Sequence, residues 1–168
     1  TVASGHEINA FVALRDDGDI EFVCPALDLG QGAPLALAMI VAEEIGADLA
    51  RVRILAAPRE PGRYGNPDFD GHLVTADSKT TMGYWPLLRQ AGAQTRLALI
   101  ASACAARGWH ERDCQSAGHA VVHRPTGARL GFAEIVALGS LKIPDAGVPD
   151  QKAAGEFELL GTSPPRPD

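Results

Sequence analysis

The stretch "CPALDLGQGAPLALAMIVAEEIGADLARVRI", residues 24–54, decides how this chain is interpreted. An apolar run ends at Gly30-Gln31-Gly32, and an apolar helix is predicted over residues 33–47, with Pro34 suited to its first turn and Gly46 to its end. Apolar residues surround almost the whole circumference of this helix, which predicts that it is buried on most sides. Packing alone gives no reason for an amide between two glycines at the helix start.

Two β-hairpins are predicted on either side of the helices. Residues 7–14 and 20–27 alternate partly between apolar and polar, and Asp17-Gly18 between them is a strong turn signal. Residues 114–131 are predicted to form the second hairpin, which turns at residues 125–127.

The rest of the chain divides into a long irregular segment, further helices and a tail. Residues 58–83 carry three prolines and four glycines, and a segment of this length without regular structure is usually functional or disordered. A second long helix is predicted over 84–107, with Pro86 in its first turn, and a short third helix over 132–141. A short strand is predicted at 51–58.

These elements define an α+β fold in which β-hairpins pack with two long helices and a short third helix. We predict one domain over residues 1–145, followed by a Pro/Gly-rich tail over residues 146–168 that leads to a further domain. The length of 168 residues suits one domain with a real core.

Composition excludes several classes of protein. A net charge of −6 disfavours a nucleic-acid binder, which needs a basic face. Cys24, Cys104 and Cys114 show no metal-site spacing, so we expect three buried core thiols and no iron–sulfur or zinc site on this chain. No apolar run reaches the roughly 20 residues that span a bilayer. The compartment stays open between periplasm and cytoplasm.

The glycine segment 30–32 admits three interpretations. A dinucleotide fingerprint is disfavoured because the third glycine is missing, Pro34 lacks an N–H, and the preceding strand belongs to a hairpin and not to a βαβ unit. A plain helix start is the second interpretation. The third is a ligand site, because glycines permit close backbone approach, the helix N-terminus offers free N–H groups, and Gln31 can donate to a bound oxygen.

The segment resembles the GQG region of the molybdenum hydroxylases, the xanthine dehydrogenase and aldehyde oxidase family. The likeness continues through "VTADSKTTMGYWPLLRQAGAQTRLALIASACAARGW", "HAVVHRPTGARLGFAEIVAL" and the closing "FELLGTSPPRPD", and it is greatest to large subunits of the isoquinoline 1-oxidoreductase type. The resemblance covers nearly the whole chain from about residue 7. It implies the N-terminal portion of a molybdopterin-binding subunit.

The resemblance also implies roles for individual residues. Gln31 would bind an oxo ligand of molybdenum, with Gly30 and Gly32 beside it; an amide there orients and stabilises charge but does not act as a base. The loop 75–81 would face the cofactor, through the site residues Ser78, Lys79, Thr80 and Thr81. Helix capping is the competing role for the hydroxyls, and a solvated surface charge for Lys79.

The whole enzyme implied by this resemblance oxidises aldehydes or N-heterocycles with oxygen from water. Its cofactor would be molybdopterin cytosine dinucleotide, with electrons leaving through [2Fe–2S] clusters on a separate small subunit. The family's glutamate base is absent from this sequence, so we expect the chain to be inactive alone and to need the remaining molybdopterin-binding domains. The alternative function is a non-catalytic module of the same fold that docks a partner subunit.

The other polar residues are expected to have structural roles. Arg89 and Arg96 lie seven residues apart on one helix face, which predicts exposed or inter-subunit salt bridges. Glu43-Glu44 are predicted to form a polar helix edge. His119 and His123 share a strand face without an evident third metal ligand.

Overall fold

The computed structural model describes residues 5–144, 147 and 149–164, which form two small sheets packed with helices. The strands and helices are β1 (Gly5–Glu7), β2 (Val12–Arg15), β3 (Ile20–Cys24), α1 (Ala33–Ile45), β4 (Val52–Ala56), α2 (Pro61–Tyr64), α3 (Thr80–Arg107), β5 (Cys114–Ala117), β6 (Ala120–His123), β7 (Ala128–Gly131) and α4 (Phe132–Val136). The predicted α+β class with hairpins, two long helices and a short third helix is confirmed. The predicted domain boundary at 145–146 and the last residues, 165–168, lie outside the described residues.

The first sheet has the strand order β1-β2-β3-β4. β2 and β3 pair antiparallel through the predicted turn at Asp17-Gly18, whereas β4 pairs parallel with β3, in register from Ile20↔Val52 to Cys24↔Ala56. Since α1 connects β3 to β4, the chain contains a βαβ unit. The prediction that β3 belongs only to a hairpin is therefore wrong: each edge of a strand can take a different partner, and β3 uses both.

The first predicted strand, residues 7–14, is in fact divided into β1 and β2. The side chain of Asn9 accepts hydrogen bonds from the N–H groups of Phe11 (3.0 Å) and Val12 (3.1 Å), which reverses the chain between the two strands. β1 then pairs antiparallel with β2. An asparagine turn of this kind competes with the continuation of the strand. The partly alternating pattern of residues 7–14 gives no sign of it.

The second long helix begins four residues earlier than predicted. It runs over Thr80–Arg107, so Pro86 lies inside it and not in its first turn. Proline removes one hydrogen bond of the helix, here the one to the carbonyl of Met82. The buried Tyr84 donates to the carbonyl of Tyr64 (2.8 Å) and holds this first part of the helix against the core. Residues 58–83 also contain α2 and a turn at Pro67–Phe69, so this segment has more regular structure than predicted.

The core lies between the first sheet and the two long helices. α1 and α3 pack closely at Gly92, where an added Cβ would lie 2.6 Å from the Cβ of Glu44. Leu37, Ile40 and Leu99 fill the space with essentially no exposure. β5, β6 and β7 form the second, antiparallel sheet, with the predicted turn between β6 and β7.

None of the helices in the described part of the chain combines the length and hydropathy needed to cross a membrane.

Candidate functional site

The glycine turn before α1 is shaped by backbone conformation and by Asp28. Gly30 and Gly32 have φ values of 90° and 75°, in the left-handed region that favours glycine. The carboxylate of Asp28 accepts hydrogen bonds from the N–H groups of Gly30 (2.8 Å) and Gly32 (3.3 Å). Added Cβ atoms at both glycines would meet open space. The glycines are therefore needed here for their φ values and not for close packing.

The side chain of Gln31 is held by its own loop. Its Oε1 accepts from the N–H of Leu29 (2.5 Å), and its Nε2 donates to the carbonyl of Leu27 (3.1 Å). A primary amide carries two N–H donors, so these contacts leave one Nε2–H uncommitted. Gln31 is exposed. Its loop therefore fixes the orientation of the amide but leaves one N–H donor free.

The second wall of the site is the loop that leads into α3. Asp77 and Ser78 both lie in the left-handed region, with φ values of 53° and 55°. Two successive residues of this kind store backbone strain, which the surrounding structure must support. The hydroxyl of Thr75 accepts from the N–H of Leu27 (3.1 Å) and so joins this loop to the glycine turn.

The two loops enclose a cavity of about 380 Å³. Four of the predicted site residues line it: Gln31, Ser78, Thr80 and Thr81. The remaining wall is formed by Leu29, Ala33, Ala36, Thr75, Ala76 and Asp77. The structure thus brings together residues that are 44 or more positions apart in sequence, with Gln31 on one side and the threonines on the other.

Three of the predicted site residues do not line this cavity. Gly30 and Gly32 shape the turn behind Gln31, as described above. Lys79 lies at the start of α3, and its Nζ is 5.3 Å from the ring centroid of Phe69, a cation–π contact. Thr80 and Thr81 belong to the first turn of α3 and not to the preceding loop, which corrects the predicted boundary.

The cavity offers neutral hydrogen-bond donors. Gly32 begins α1 without a side-chain cap, and Pro34 has no N–H, so the free amides of the first turn belong to Ala33 and Leu35. The positive end of the helix dipole favours an anionic or oxo oxygen at this position. Asp77 is the only acidic or basic residue among the residues named as the cavity wall.

Two buried side chains, Cys24 and Tyr84, have raised pKa values. Burial raises the pKa of the Cys24 thiol to about 11 and the pKa of the Tyr84 phenol to about 12. Both side chains are therefore protonated at neutral pH. As predicted, all three cysteines are buried, and they are free thiols.

Arg89, Arg96 and Glu44 form a mostly buried ion-pair cluster at the C-terminal half of α1. Arg89 Nε donates to Glu44 Oε1 (2.7 Å), and Arg96 donates to Glu44 Oε2 (2.8 Å). Glu44 is fully buried. The predictions of exposed or inter-subunit arginine pairs and of a polar helix edge are both wrong, because the close α1–α3 contact encloses these charges within the chain.

Glu43 binds the C-terminal segment of the chain. Its Oε2 accepts from three consecutive backbone N–H groups, those of residues 158–160 (2.6–3.1 Å), and its Oε1 accepts from Lys152 Nζ (2.8 Å). Burial alone would raise the pKa of Glu43. The hydrogen bonds from Lys152, Leu159 and Leu160 outweigh burial and hold the pKa of Glu43 below its usual value.

The histidines do not come together as a metal site in the described residues, and no group of three or more His, Cys, Asp or Glu there could hold a metal ion. His119 occupies a tight turn, with φ 61°. Its Nδ1 accepts from the N–H of Asp48 (3.2 Å) and its Nε2 lies 2.8 Å from the carbonyl of Gly18. Burial lowers the pKa of His119, so this buried ring links loops as the neutral form.

A larger cavity, about 680 Å³, lies at the other end of α1. Its wall includes Glu43 and Lys152, which pair with each other, and Arg51, which pairs with Asp19. Glu43, Lys152 and Arg51 already have ion-pair partners in the chain. We assign the candidate site to the smaller cavity because it is lined by Gln31, whose amide keeps a donor uncommitted, and by three more of the predicted site residues.

Sequence reasoning missed Asp28 and did not single out Thr75 within its loop. Asp28 carries a detectable signal, since an aspartate two residues before a glycine is typical of a turn closed by the carboxylate. The contact between Thr75 and Leu27 joins loops 48 residues apart, and no local pattern predicts it.

Comparisons with known proteins place this geometry in context. No protein-family model matches the chain. It is 41% identical over 140 residues, 82% of its length, to the isoquinoline 1-oxidoreductase subunit beta of Brevundimonas diminuta. It is 31% identical over 163 residues, 94% of its length, to a membrane-bound aldehyde dehydrogenase (pyrroloquinoline-quinone) of Gluconacetobacter polyoxogenes. The chain spans only 17% and 20% of these two relatives.

Solved structures share the fold. Quinoline 2-oxidoreductase from Pseudomonas putida 86 matches 74% of the chain with a TM-score of 0.56 and 20% identity, over 15% of that structure's chain. The Cu,Mo-CO dehydrogenase matches 83% of the chain with a TM-score of 0.52 and 19% identity, over 17% of that structure's chain.

Proposed function

The chain belongs to the molybdenum hydroxylase family, the xanthine dehydrogenase and aldehyde oxidase family, as a portion of its molybdopterin-binding large subunit, and on that premise we propose that it supplies one wall of the molybdenum cofactor pocket. The observation that carries the proposal is the cavity shared by Gln31, residues 75–78 and the first turn of α3, beside the open N-terminus of α1. The relatives' names support an oxidoreductase that acts on an aldehyde or an N-heterocycle.

The residues that line the cavity fit an oxygen-rich cofactor. Gln31 keeps one Nε2–H free while its Oε1 is bound by Leu29, so the amide can donate to an oxo oxygen without first being reoriented. The hydroxyls of Ser78, Thr80 and Thr81 suit phosphate and pterin oxygens. Lys79 supplies no charge to the cavity wall, so neutral donors and the helix dipole perform the binding here.

The cofactor we propose is molybdopterin cytosine dinucleotide, shared with the remaining domains of the large subunit. When bound, it supplies the redox chemistry of hydroxylation, with water as the oxygen source and [2Fe–2S] clusters on a separate small subunit as the electron exit. The part played by this chain is to position and polarise the bound cofactor. Asp28 fixes the glycine turn, the turn fixes Gln31, and Thr75 holds the two walls together.

The test is the change Gln31→Ala in the assembled enzyme that contains this chain. Removal of a charge-stabilising donor lowers turnover by roughly 100-fold or more in comparable sites. We expect that loss with an unchanged thermal midpoint and unchanged molybdenum content. Gln115→Ala is the matched control, because Gln115 is an exposed amide on β5 that does not line the cavity. Wild-type turnover in a fully loaded Gln31→Ala enzyme would contradict the proposal.

The alternative function, a non-catalytic docking module, has one supporting observation. Leu27, Leu29 and Met82 are 66–68% exposed beside the cavity. In a docking module, Leu29→Ser would weaken assembly with the partner, while Gln31→Ala would change neither assembly nor turnover. Subunit stoichiometry by native mass spectrometry, measured on the same two variants, separates the two functions.

A further inference from the structure

Two cysteines far from the candidate site lie side by side in the core. Cys104 is in the last part of α3 and Cys114 is the first residue of β5. Their Sγ atoms are 3.4 Å apart, and both residues are buried, with 5% and 7% exposure.

The chain between the two cysteines is held in place by backbone hydrogen bonds. Gly108 caps the end of α3, with φ 67° and an N–H that donates to the carbonyl of Cys104. The N–H of Trp109 donates to the same carbonyl (3.1 Å), and the N–H of Cys114 donates to Glu111. These hydrogen bonds place the two thiols next to each other, which favours a bond between them over a bond to any distant thiol.

We propose that Cys104 and Cys114 form a disulfide bond when the chain folds in the presence of a disulfide oxidant, while Cys24 remains a free thiol. Cys24 lies on the other sheet, at the end of β3, where its Sγ donates to the carbonyl of Ala26 (3.4 Å). The Sγ atoms of Cys104 and Cys114 have to approach by only about 1.4 Å to reach the S–S bond length of about 2.0 Å.

The reaction is a thiol–disulfide exchange with oxidised glutathione as the oxidant. One cysteine thiolate attacks a glutathione sulfur, forms a mixed disulfide and releases one glutathione thiolate. The second cysteine thiolate attacks the cysteine sulfur of that mixed disulfide and expels the other glutathione. Two protein thiols lose two electrons and two protons in total, and one oxidised glutathione becomes two reduced ones.

The structure also indicates when the bond forms. Burial, together with the neighbouring Cys114 sulfur, raises the pKa of Cys104 to about 12, so the folded protein holds very little thiolate there. Exchange requires the thiolate. Because both cysteines are also closed off from solvent in the folded chain, we expect the bond to form while the end of α3 is still open, and slowly once the fold has closed.

The experiment is to refold the denatured, reduced chain in a glutathione redox buffer, block free thiols by alkylation, and map the tryptic peptides. The three cysteines fall on separate peptides, which cover residues 16–51, 97–107 and 113–129. We expect the last two to be joined and the first to carry the alkyl group. The thermal midpoint of the oxidised protein should exceed that of the reduced protein by roughly 5–10 °C.

Alkylation of all three cysteines after refolding would overturn the proposal, and so would Cys24 pairing with either of the others. The map on the natural sequence decides this by itself, so the result does not depend on a variant that folds. As a matched set, Cys24→Ala should retain the thermal shift between oxidised and reduced protein, whereas Cys114→Ala should abolish it.

Discussion

The two ends of α1 treat polar groups in opposite ways. At the N-terminal end, Gln31 is exposed, and its amide and the first-turn amides keep donors uncommitted. At the C-terminal end, Glu43 and Glu44 are 2% and 0% exposed, and every carboxylate oxygen has a partner. The same helix therefore stabilises the chain at one end and offers hydrogen bonds at the other.

This difference shows how polar groups that stabilise the fold can be distinguished from polar groups that are able to bind a ligand. Polar groups whose hydrogen bonds are all made to partners in the same chain have no donor or acceptor left for a ligand, even where they are deeply buried. Polar groups that are fixed in orientation but not saturated can bind one. Gln31 belongs to the second kind, because its own loop orients it and leaves a donor free.

The largest expected effect on stability concerns the C-terminal end of α1, where every carboxylate oxygen has a partner. Glu44→Ala leaves Arg89 and Arg96 without their carboxylate, and removal of one partner from a buried ion pair costs about 3–5 kcal/mol. Urea denaturation should show this loss in the free energy of unfolding. Glu111→Ala, at an exposed glutamate, is the control and should change stability by less than about 0.5 kcal/mol. A loss as small as the control's would mean that the buried cluster does not stabilise the fold.

A second effect concerns acid and the segment held by Glu43. The pKa of Glu43 is held below its usual value in the folded protein, so its contribution is complete above the unfolded pKa, about 4.5. The contribution is lost as the pH falls through the folded pKa. Limited proteolysis with an acid-active protease should therefore cut residues 149–160 increasingly below about pH 4.5.

Glu43→Gln separates this cause from general acid unfolding. Hydrogen bonds to charged groups contribute about 1.5–3 kcal/mol each, so the variant should expose the segment at neutral pH without acid. Unchanged protection of residues 149–160 in Glu43→Gln would show that contacts other than the carboxylate hold the segment.

The smallest expected effect on stability concerns the glycine turn at the N-terminal end of α1. Gly32→Ala places a side chain at φ 75°, and the left-handed conformation costs a non-glycine residue about 1 kcal/mol. Because the added Cβ meets open space, no clash adds to this cost. Gly62→Ala is the matched control: its Cβ also meets open space, but its φ is not positive. A loss of several kcal/mol at Gly32, measured by thermal unfolding, would show that the glycine turn is closely packed after all.

Sequence reasoning described the local structure around Gln31 better than it described the buried charges. The pattern of Gly30-Gln31-Gly32 before an apolar helix is local, so the start of the helix and the amide placed at it could be predicted from residues adjacent in sequence. The resemblance added loop 75–81. The placement of Gln31 beside Thr80 depends on tertiary packing, and no period in the sequence encodes it.

The errors share a physical cause. Arg89, Arg96, Glu43 and Glu44 were expected at the surface because charges are rarely buried unless paired. Their partners lie on other elements, 45–52 residues away for the arginines and Glu44, so the pairing that permits burial is invisible in sequence. Gly92 allows α1 and α3 to approach closely. A glycine inside the predicted helix was the one sequence feature that could have indicated this contact.

The double role of β3 has a consequence for the order of folding. Its antiparallel partner β2 ends only five residues before it begins, whereas its parallel partner β4 begins 28 residues after it ends. Short loops close quickly, and pairings that span a whole helix are slow to form. We expect the β2–β3 hairpin to gain amide protection early in a pulse-labelled refolding experiment, and β4 to be protected only after α1 has docked.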